Sequence, residues 1–123
     1  MPPALSILLI EDHDDAREAM RALLELEGHA VEAAADGIHG IELARQKNPD
    51  VALIDIGLPG MDGYEVARRI RALGGPRPFL VALTGYGQPE DRQQAAEAGF
   101  DAHLVKPVDP PDLTRVLASV PRR

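Results

Sequence analysis

Apolar residues recur in five short runs along the chain, and each run has about the length of a β-strand. The runs consist mostly of Val, Ile, Leu and Ala, with few polar residues alternating between them. Continuous apolar runs are typical of strands that are covered on both faces, as in a parallel sheet. The strands predicted in this way are Leu5–Ile10, Ala30–Ala34, Val51–Ile54, Phe79–Leu83 and Ala102–Val105.

Segments with helical periodicity separate these runs. The first predicted helix covers Asp14–Glu27, and Gly28 follows it as a stop signal. In the last helix Asp109 is a good N-cap, with Pro110 at the first helical position. The predicted inward face of the first helix consists of Ala16, Met20, Leu23 and Leu24. Apolar residues at helical spacing mark the second helix (Ile38, Ile41 and Ala44) and the third (Tyr64, Ala67 and Ile70). The fourth predicted helix runs from about Pro89 to Ala98.

The alternation of strands and helices predicts an α/β fold of the (βα)₅ type with a doubly wound, five-stranded parallel sheet. Right-handed crossovers place helices on both faces of such a sheet. We expect the flavodoxin-like strand order 2-1-3-4-5. Since sites in these sheets lie at the carboxyl ends of the strands, the residues that end each strand are the candidates for chemistry.

Composition narrows the function classes. The chain has 123 residues, and we expect a single domain over residues 1–123, with its core over about 5–119 and no output domain. The absence of cysteine excludes disulfides, zinc–thiolate sites and thiol catalysis. A formal net charge of -7 makes nucleic acids and membranes poor direct partners. No stretch has transmembrane length and no secretory signal is present, so we expect a cytoplasmic protein.

Five chemically active side chains come at the predicted strand ends. Glu11 and Asp12 follow the first strand, Asp55 the third, Thr84 the fourth and Lys106 the fifth. Carboxylates crowded at one edge repel one another, and a hard divalent cation with oxygen ligands relieves that repulsion. The pattern therefore predicts a Mg²⁺ site next to a hydroxyl and an ammonium group.

The motifs around these residues resemble the receiver domains of two-component signalling, of the kind found in chemotaxis regulators. They include a hydrophobic strand with an acidic pair, a strand and loop around Asp55, a hydroxyl segment and a lysine segment. The resemblance covers essentially the whole chain in the right order. The matching segments are Ile7–Asp12, Val51–Gly63, Ala82–Gly85 and Ala98–Pro107.

The resemblance implies that Asp55 accepts a phosphoryl group from a phosphohistidine, carried by a sensor histidine kinase or a histidine phosphotransfer protein. Asp12, Asp55 and the Gly57 carbonyl would bind Mg²⁺, with Mn²⁺ as an alternative ion, and Glu11 would hold a metal-bound water. Lys106 would neutralise the phosphoryl oxygens. The family is not a conventional enzyme family, because each domain catalyses only its own phosphorylation and dephosphorylation.

The resemblance also implies a switch. Thr84 would bond the phosphoryl group after transfer, small Gly85 would leave room for it, and a cis bond before Pro107 would aim the lysine at the site. The lifetime of the phosphoryl group would depend on Gly57 and Tyr86. His103 occupies the usual aromatic switch position, where a surface histidine is an equally good interpretation.

The partner surface implied by the family is formed by the fourth helix, the last strand and the last helix. The fourth helix has only alanines to bury, so it is expected to be held weakly. The downstream protein is unknown, and a monomer or weak dimer is expected. The chain would be a stand-alone regulator or a receiver excised from a hybrid sensor kinase.

Two other functions stay open. Asp12-His13-Asp14 is an Asp-x-Asp motif after a strand, as in small phosphatases that use an aspartate nucleophile, here Asp12. A phosphorylation-independent interaction module is the second alternative. His13, His29 and His39 show no metal-ligand spacing, which favours exposure to solvent for all three.

Overall fold

Five strands form one parallel sheet in the computed structural model, which describes residues 4–85 and 92–121. The sheet order is β2-β1-β3-β4-β5, and every neighbouring pair is parallel. The predicted fold class and strand order are confirmed. The strands are β1 (Ser6–Ile10), β2 (Ala30–Ala34), β3 (Val51–Asp55), β4 (Phe79–Gly85) and β5 (Ala102–Lys106).

Helices lie on both faces of the sheet. Since the placement of residues 86–91 is not described, the part of the predicted fourth helix around Pro89 lies outside the described residues. The other helix boundaries agree with the sequence pattern to within a few residues. The helices are α1 (Asp14–Leu26), α2 (Gly37–Lys47), α3 (Gly63–Ala72), α4 (Arg92–Ala98) and α5 (Pro110–Ala118).

The core consists of two apolar clusters, one on each face of the sheet. Leu24 of α1 and Leu113 of α5 pack in one cluster, while Val66 and Ile70 of α3 pack in the other. Strand β3 lies between them and is buried at every position, as its unbroken apolar run predicts. Burying a Leu, Ile or Val side chain contributes about 1.5–3 kcal/mol, so the two clusters hold the strand ends in fixed positions.

One residue near the start of α1, Ala16, departs from the prediction. Ala16 was expected to face the core but is exposed, whereas Leu24 on the same predicted face is fully buried. Ala16 lines a cavity of about 530 Å³ together with Pro107 and Val108, whereas Met20, which also lines it, is partly buried against the core as predicted. The Ala16 side chain is a single methyl group and is too short to reach across the cavity. Helical spacing therefore predicted its direction but not its burial.

A charged clamp fixes the end of α4. Arg71 of α3 donates to the carbonyl oxygens of Gly99 and Pro78, and it pairs with Asp101 at 2.7 Å. Asp101 Oδ2 also accepts the Leu80 N–H at 2.9 Å. Gly99 has φ +105°, and a Cβ there would lie 2.7 Å from Arg71 Cγ. Glycine therefore provides both the left-handed turn after α4 and the space for the arginine.

Helix caps differ in a way that the sequence did not reveal. Asp62 accepts the Glu65 N–H at 3.0 Å and so caps α3 as an N-cap aspartate normally does. Asp109 occupies the predicted N-cap of α5, but its side chain makes no capping bond. Pro110 and Pro111 have no N–H to donate, so the Asp112 N–H is the one donor of the first turn left for a cap, and the Asp109 side chain does not accept it.

Candidate active site at the carboxyl edge of the sheet

The residues singled out at the strand ends meet at one edge of the sheet. Asp55 ends β3 and is paired in register with Leu83 of β4, and Lys106 ends β5 opposite Gly85. Thr84 lies between those two β4 positions. Glu11 directly follows β1 and continues its pairing with β2 by donating its N–H to the Ala34 carbonyl. Parallel pairing therefore places four of the predicted functional groups side by side.

Lys106 joins two buried carboxylates. Its Nζ lies 2.8 Å from Glu11 Oε1 and 3.1 Å from Asp55 Oδ2. The Glu11 and Asp55 side chains are only 3% and 6% exposed, whereas the Lys106 side chain is 25% exposed. Two buried anions of like sign would repel each other, so the ammonium group offsets a large part of the electrostatic cost of this arrangement.

The same contacts shift the ionisation of the site. Burial by itself raises the pKa of Asp55, but the Gly57 N–H and the Glu11 and Lys106 contacts outweigh it and hold that pKa below its ordinary value. Burial opposes the charge on Lys106 as well, and the bonds to the two carboxylates nevertheless raise its pKa. At neutral pH Asp55 is therefore an ionised carboxylate, the form that acts as a nucleophile.

Asp12 provides a carboxylate oxygen that fits a metal ion. Its Oδ1 is buried and has no hydrogen-bond partner within the described structure. One ligand atom from each of Glu11, Asp12, His13 and Asp55 lies within 4.8 Å of the other three. Three of these four donors are carboxylate oxygens, which Mg²⁺ prefers. A buried carboxylate oxygen that accepts no hydrogen bond is costly unless a cation compensates it, so the residues present fit a divalent ion.

The loop after β3 holds Asp55 in place. The Gly57 N–H donates to Asp55 Oδ1 at 2.8 Å, and the Ile56 N–H donates to the Leu83 carbonyl at 3.1 Å. At the start of α3, Gly63 packs so tightly that a Cβ would lie 2.5 Å from Ile56 Cα and 2.6 Å from the Asp55 carbonyl oxygen. A larger residue at that position would push directly on the backbone of the acceptor.

Thr84 and the predicted switch residues surround this centre. The Thr84 hydroxyl is buried and donates to the Leu104 carbonyl at 3.4 Å, so it is engaged with β5. Gly85 ends β4, and Tyr86 lies outside the described residues. His103 is half-buried in β5 and is paired in register with Ala82. The peptide bond between Lys106 and Pro107 is cis.

Two histidines correct the sequence interpretation. His29 was expected to be exposed, but it is 9% exposed, and its Nδ1 accepts the Leu5 N–H at 3.0 Å. Its role is to satisfy a backbone donor at the start of β1. His13 is exposed as expected, yet it belongs to the donor cluster described above. Its position directly after the acidic pair was the signal that could have revealed this.

A family model described as the response regulator receiver domain matches residues 7–118. The chain belongs to this family. Receiver domains are parts of two-component response regulators, so the resemblance stated from the motifs is confirmed. Among the described residues, no helix has the length and apolarity needed to span a membrane.

Relatives agree on the family and differ in size. A 14.6 kDa protein of Leptolyngbya boryana, from the sodA1 3′ region, is 38% identical over 114 residues, which are 92% of this chain and 87% of that protein. Transcriptional regulatory protein AfsQ1 of Streptomyces coelicolor is 40% identical over 118 residues, 96% of this chain. The chain spans about half the length of AfsQ1 and of the response regulators MprA.

Solved structures agree on the fold. Chemotaxis protein CheY4 of Vibrio cholerae has a TM-score of 0.89 and 28% identity, with 97% of this chain and 100% of that chain covered. The receiver domain of the sensor histidine kinase PA1611 of Pseudomonas aeruginosa has a TM-score of 0.86 and 34% identity, with 96% and 98% covered. That structure has a magnesium ion coordinated in its active site cleft.

Proposed function

We propose that Asp55 accepts a phosphoryl group from the phosphohistidine of a sensor histidine kinase or a histidine phosphotransfer protein. The observation that carries this proposal is a buried, ionised carboxylate that contacts Lys106 at 3.1 Å at the carboxyl edge of the sheet. Phosphoryl transfer requires alignment and charge neutralisation more than a strong base. A carboxylate held in this way meets both requirements.

The transfer is a simple displacement. A bond forms between an Asp55 carboxylate oxygen and phosphorus while the bond between phosphorus and the donor imidazole nitrogen breaks. The products are an acyl phosphate on this chain and a donor imidazole that takes up a proton from water. Lys106 remains within reach of Asp55 and neutralises negative charge on the transferred group.

The ion that the family implies is Mg²⁺, or Mn²⁺ as an alternative. When bound, it would neutralise charge on the phosphoryl oxygens. Asp12 and Asp55 would hold it directly together with the Gly57 carbonyl, and Glu11 would hold one of its waters. The orphaned Asp12 oxygen supports this assignment, as does the magnesium ion in the PA1611 receiver domain.

Phosphorylation would act on the rest of the chain through Thr84. Its hydroxyl would exchange the Leu104 carbonyl, now 3.4 Å away, for an oxygen of the phosphoryl group. That exchange would move the end of β4 and change the surface formed by α4, β5 and α5, where a downstream protein would bind. His103 lies on β5 in this surface, and Gly85 and Tyr86 would adjust access to the phosphoryl group.

A phosphatase that uses Asp12 as nucleophile is a poorer interpretation. Such an enzyme needs the second aspartate of the motif beside the first as a proton donor. Asp14 is 84% exposed and forms an ion pair with Arg17 at 2.6 Å, so it is committed elsewhere. A phosphorylation-independent interaction module is a possible outcome of the test that follows.

The test is phosphorylation by acetyl phosphate or phosphoramidate with Mg²⁺, followed by intact mass measurement. We expect the wild-type chain and Asp14→Asn, the matched control, to gain one phosphoryl group. Asp55→Asn should gain none, and Asp12→Asn should gain little because a metal ligand is lost. Labelling that persists in Asp55→Asn would favour the phosphatase, and failure of every variant to react would favour the interaction module.

A further inference from the structure

His13 places a nitrogen donor among the carboxylates of the cation site. Its Nδ1 lies 3.4 Å from Glu11 Oε2 and 3.5 Å from Asp12 Oδ1. We infer that His13 is a ligand of the bound cation and makes the site bind divalent transition metals more tightly than Mg²⁺. The inference concerns the cation site of the proposed function and rests on it, but it assigns a role to a residue outside the predicted ligand set.

The spacing of the donors suits an octahedral ion. With metal–ligand bonds of about 2.1 Å, adjacent ligand atoms lie about 3.0 Å apart and opposite ones about 4.2 Å. The His13 nitrogen is within half an ångström of the adjacent spacing from both neighbouring carboxylates. All four donor atoms, including that of Asp55, fall within 4.8 Å of one another. Small side-chain rotations would bring them to one centre.

The backbone that carries His13 is held in place before any ion binds. Arg17 donates to the Glu11 carbonyl at 3.0 Å and pairs with Asp14 at 2.6 Å, which ties the loop to the first turn of α1. The His13 carbonyl accepts the Arg17 N–H at 2.9 Å, and the His13 N–H donates to Glu11 Oε2 at 3.2 Å. Little ordering is therefore required when a cation is bound.

The imidazole itself has no structural task that would compete. His13 occupies the N-cap position of α1, but its side chain makes no capping hydrogen bond. The side chain is 73% exposed, so it does not contribute to the apolar core. Among the described residues, the imidazole forms its ion pairs with the two carboxylates of the cation site. The position of the imidazole beside the two carboxylates is therefore best explained by a role as a ligand of the cation.

The chemistry determines which ions benefit. Imidazole nitrogen suits first-row transition metals such as Co²⁺, whereas Mg²⁺ strongly prefers oxygen. The carboxylates would serve either ion, and the histidine would add affinity only for the transition metal. Selectivity between two ions is therefore a sharper measure of the His13 contribution than the affinity for either alone.

The experiment measures Co²⁺ and Mg²⁺ binding to the untagged chain by calorimetry at one fixed, mildly alkaline pH. We expect His13→Asn to weaken Co²⁺ binding about tenfold or more, the scale of single-group effects at metal sites, and Mg²⁺ binding by less than about twofold. His39→Asn is the matched control, because His39 is an exposed histidine on α2 that pairs with Asp36, the N-cap of that helix. That variant should change neither affinity.

A spectroscopic measurement gives an independent answer. Mn²⁺ bound to the wild-type chain should show electron-spin-echo modulation from a coupled ¹⁴N nucleus, and the signal should disappear in His13→Asn. The inference is overturned if His13→Asn changes the Co²⁺ and Mg²⁺ affinities equally, or changes neither, and the wild-type chain shows no nitrogen coupling. Asp12→Asn separates the failure of this inference from the failure of the proposed cation site. If Asp12→Asn abolishes binding of both ions while His13→Asn has no selective effect, the cation site stands and only the role of His13 is wrong. If Asp12→Asn binds both ions normally, the cation site and the role of His13 are both wrong.

Discussion

Removing the Arg71 side-chain charge should destabilise the chain much more than removing a surface charge on the same helix. In Arg71→Met the apolar stem is kept, while the guanidinium bonds to Gly99, Pro78 and Asp101 are lost. The carbonyl oxygens of Gly99 and Pro78 would lose a charged donor, and Asp101 would keep its bond to the Leu80 N–H and a longer ion pair with the exposed Arg77 at 3.7 Å. The end of α4 and the start of β5 would both loosen.

The expected magnitude follows from the burial of the clamp. The Arg71 and Asp101 side chains are 14% and 27% exposed, so water screens the pair only partly. A hydrogen bond to a charged group contributes about 1.5–3 kcal/mol, and removing one partner of a buried pair costs about 3–5 kcal/mol. We expect a loss of about 3 kcal/mol. At about 2.1 cal/mol/K of unfolding entropy per residue, that loss lowers Tm by about 12 °C for a chain of 123 residues.

Urea and thermal unfolding, followed by circular dichroism, measure this loss. The matched control is Arg69→Met, also on α3, where the side chain is 56% exposed and pairs with Glu65 at 2.9 Å. An exposed pair contributes about 0–1 kcal/mol, so the control should remain close to wild type. If the free energies of unfolding of Arg71→Met and Arg69→Met agree within about 0.5 kcal/mol, the clamp does not stabilise the chain as argued.

Three further predictions concern a cap, a close contact and a titration. Asp62→Ala should cost about 1 kcal/mol in urea unfolding and Asp109→Ala clearly less, since only Asp62 makes a capping bond; equal costs would contradict this. Gly63→Ala should cost about 1–3 kcal/mol and slow phosphorylation of Asp55, because the added methyl meets backbone; unchanged stability would contradict it. The lowered pKa of Asp55 means that its ionisation stabilises the fold above its ordinary pKa of 3.8, and that this contribution is lost as pH falls through the folded value. In EDTA, the stability of wild type relative to Asp55→Asn should therefore decrease from pH 5 to pH 3, and a constant difference would refute the assignment.

The parts of this structure that were predictable are those set by periodicity and topology. Unbroken apolar runs predict buried parallel strands, and their carboxyl ends necessarily bring Glu11, Asp55 and Lys106 to one edge. The sequence pattern also placed Gly28 correctly, at φ +96° after α1. These features depend on local sequence and on rules that hold for every sheet of this class.

The features that were not predictable depend on three-dimensional contacts between distant residues. Arg71 reaches Asp101 across thirty positions of sequence, and His29 accepts the N–H of Leu5 from another element. Asp109 has a residue type that is typical of an N-cap, but its side chain makes no capping hydrogen bond to α5. Residue type and spacing do not contain such contacts.

Locating the modified residue after phosphotransfer tests directly whether Asp55 is the phosphoryl acceptor. A purified histidine kinase with a phosphorylated histidine is mixed with the chain and Mg²⁺, and the acyl phosphate is trapped by borohydride, which converts the modified aspartate to homoserine. Peptide mass spectrometry then identifies the position. We expect conversion at Asp55 alone; conversion at Asp12, or phosphorylation elsewhere with Asp55 unmodified, would show that Asp55 is not the acceptor.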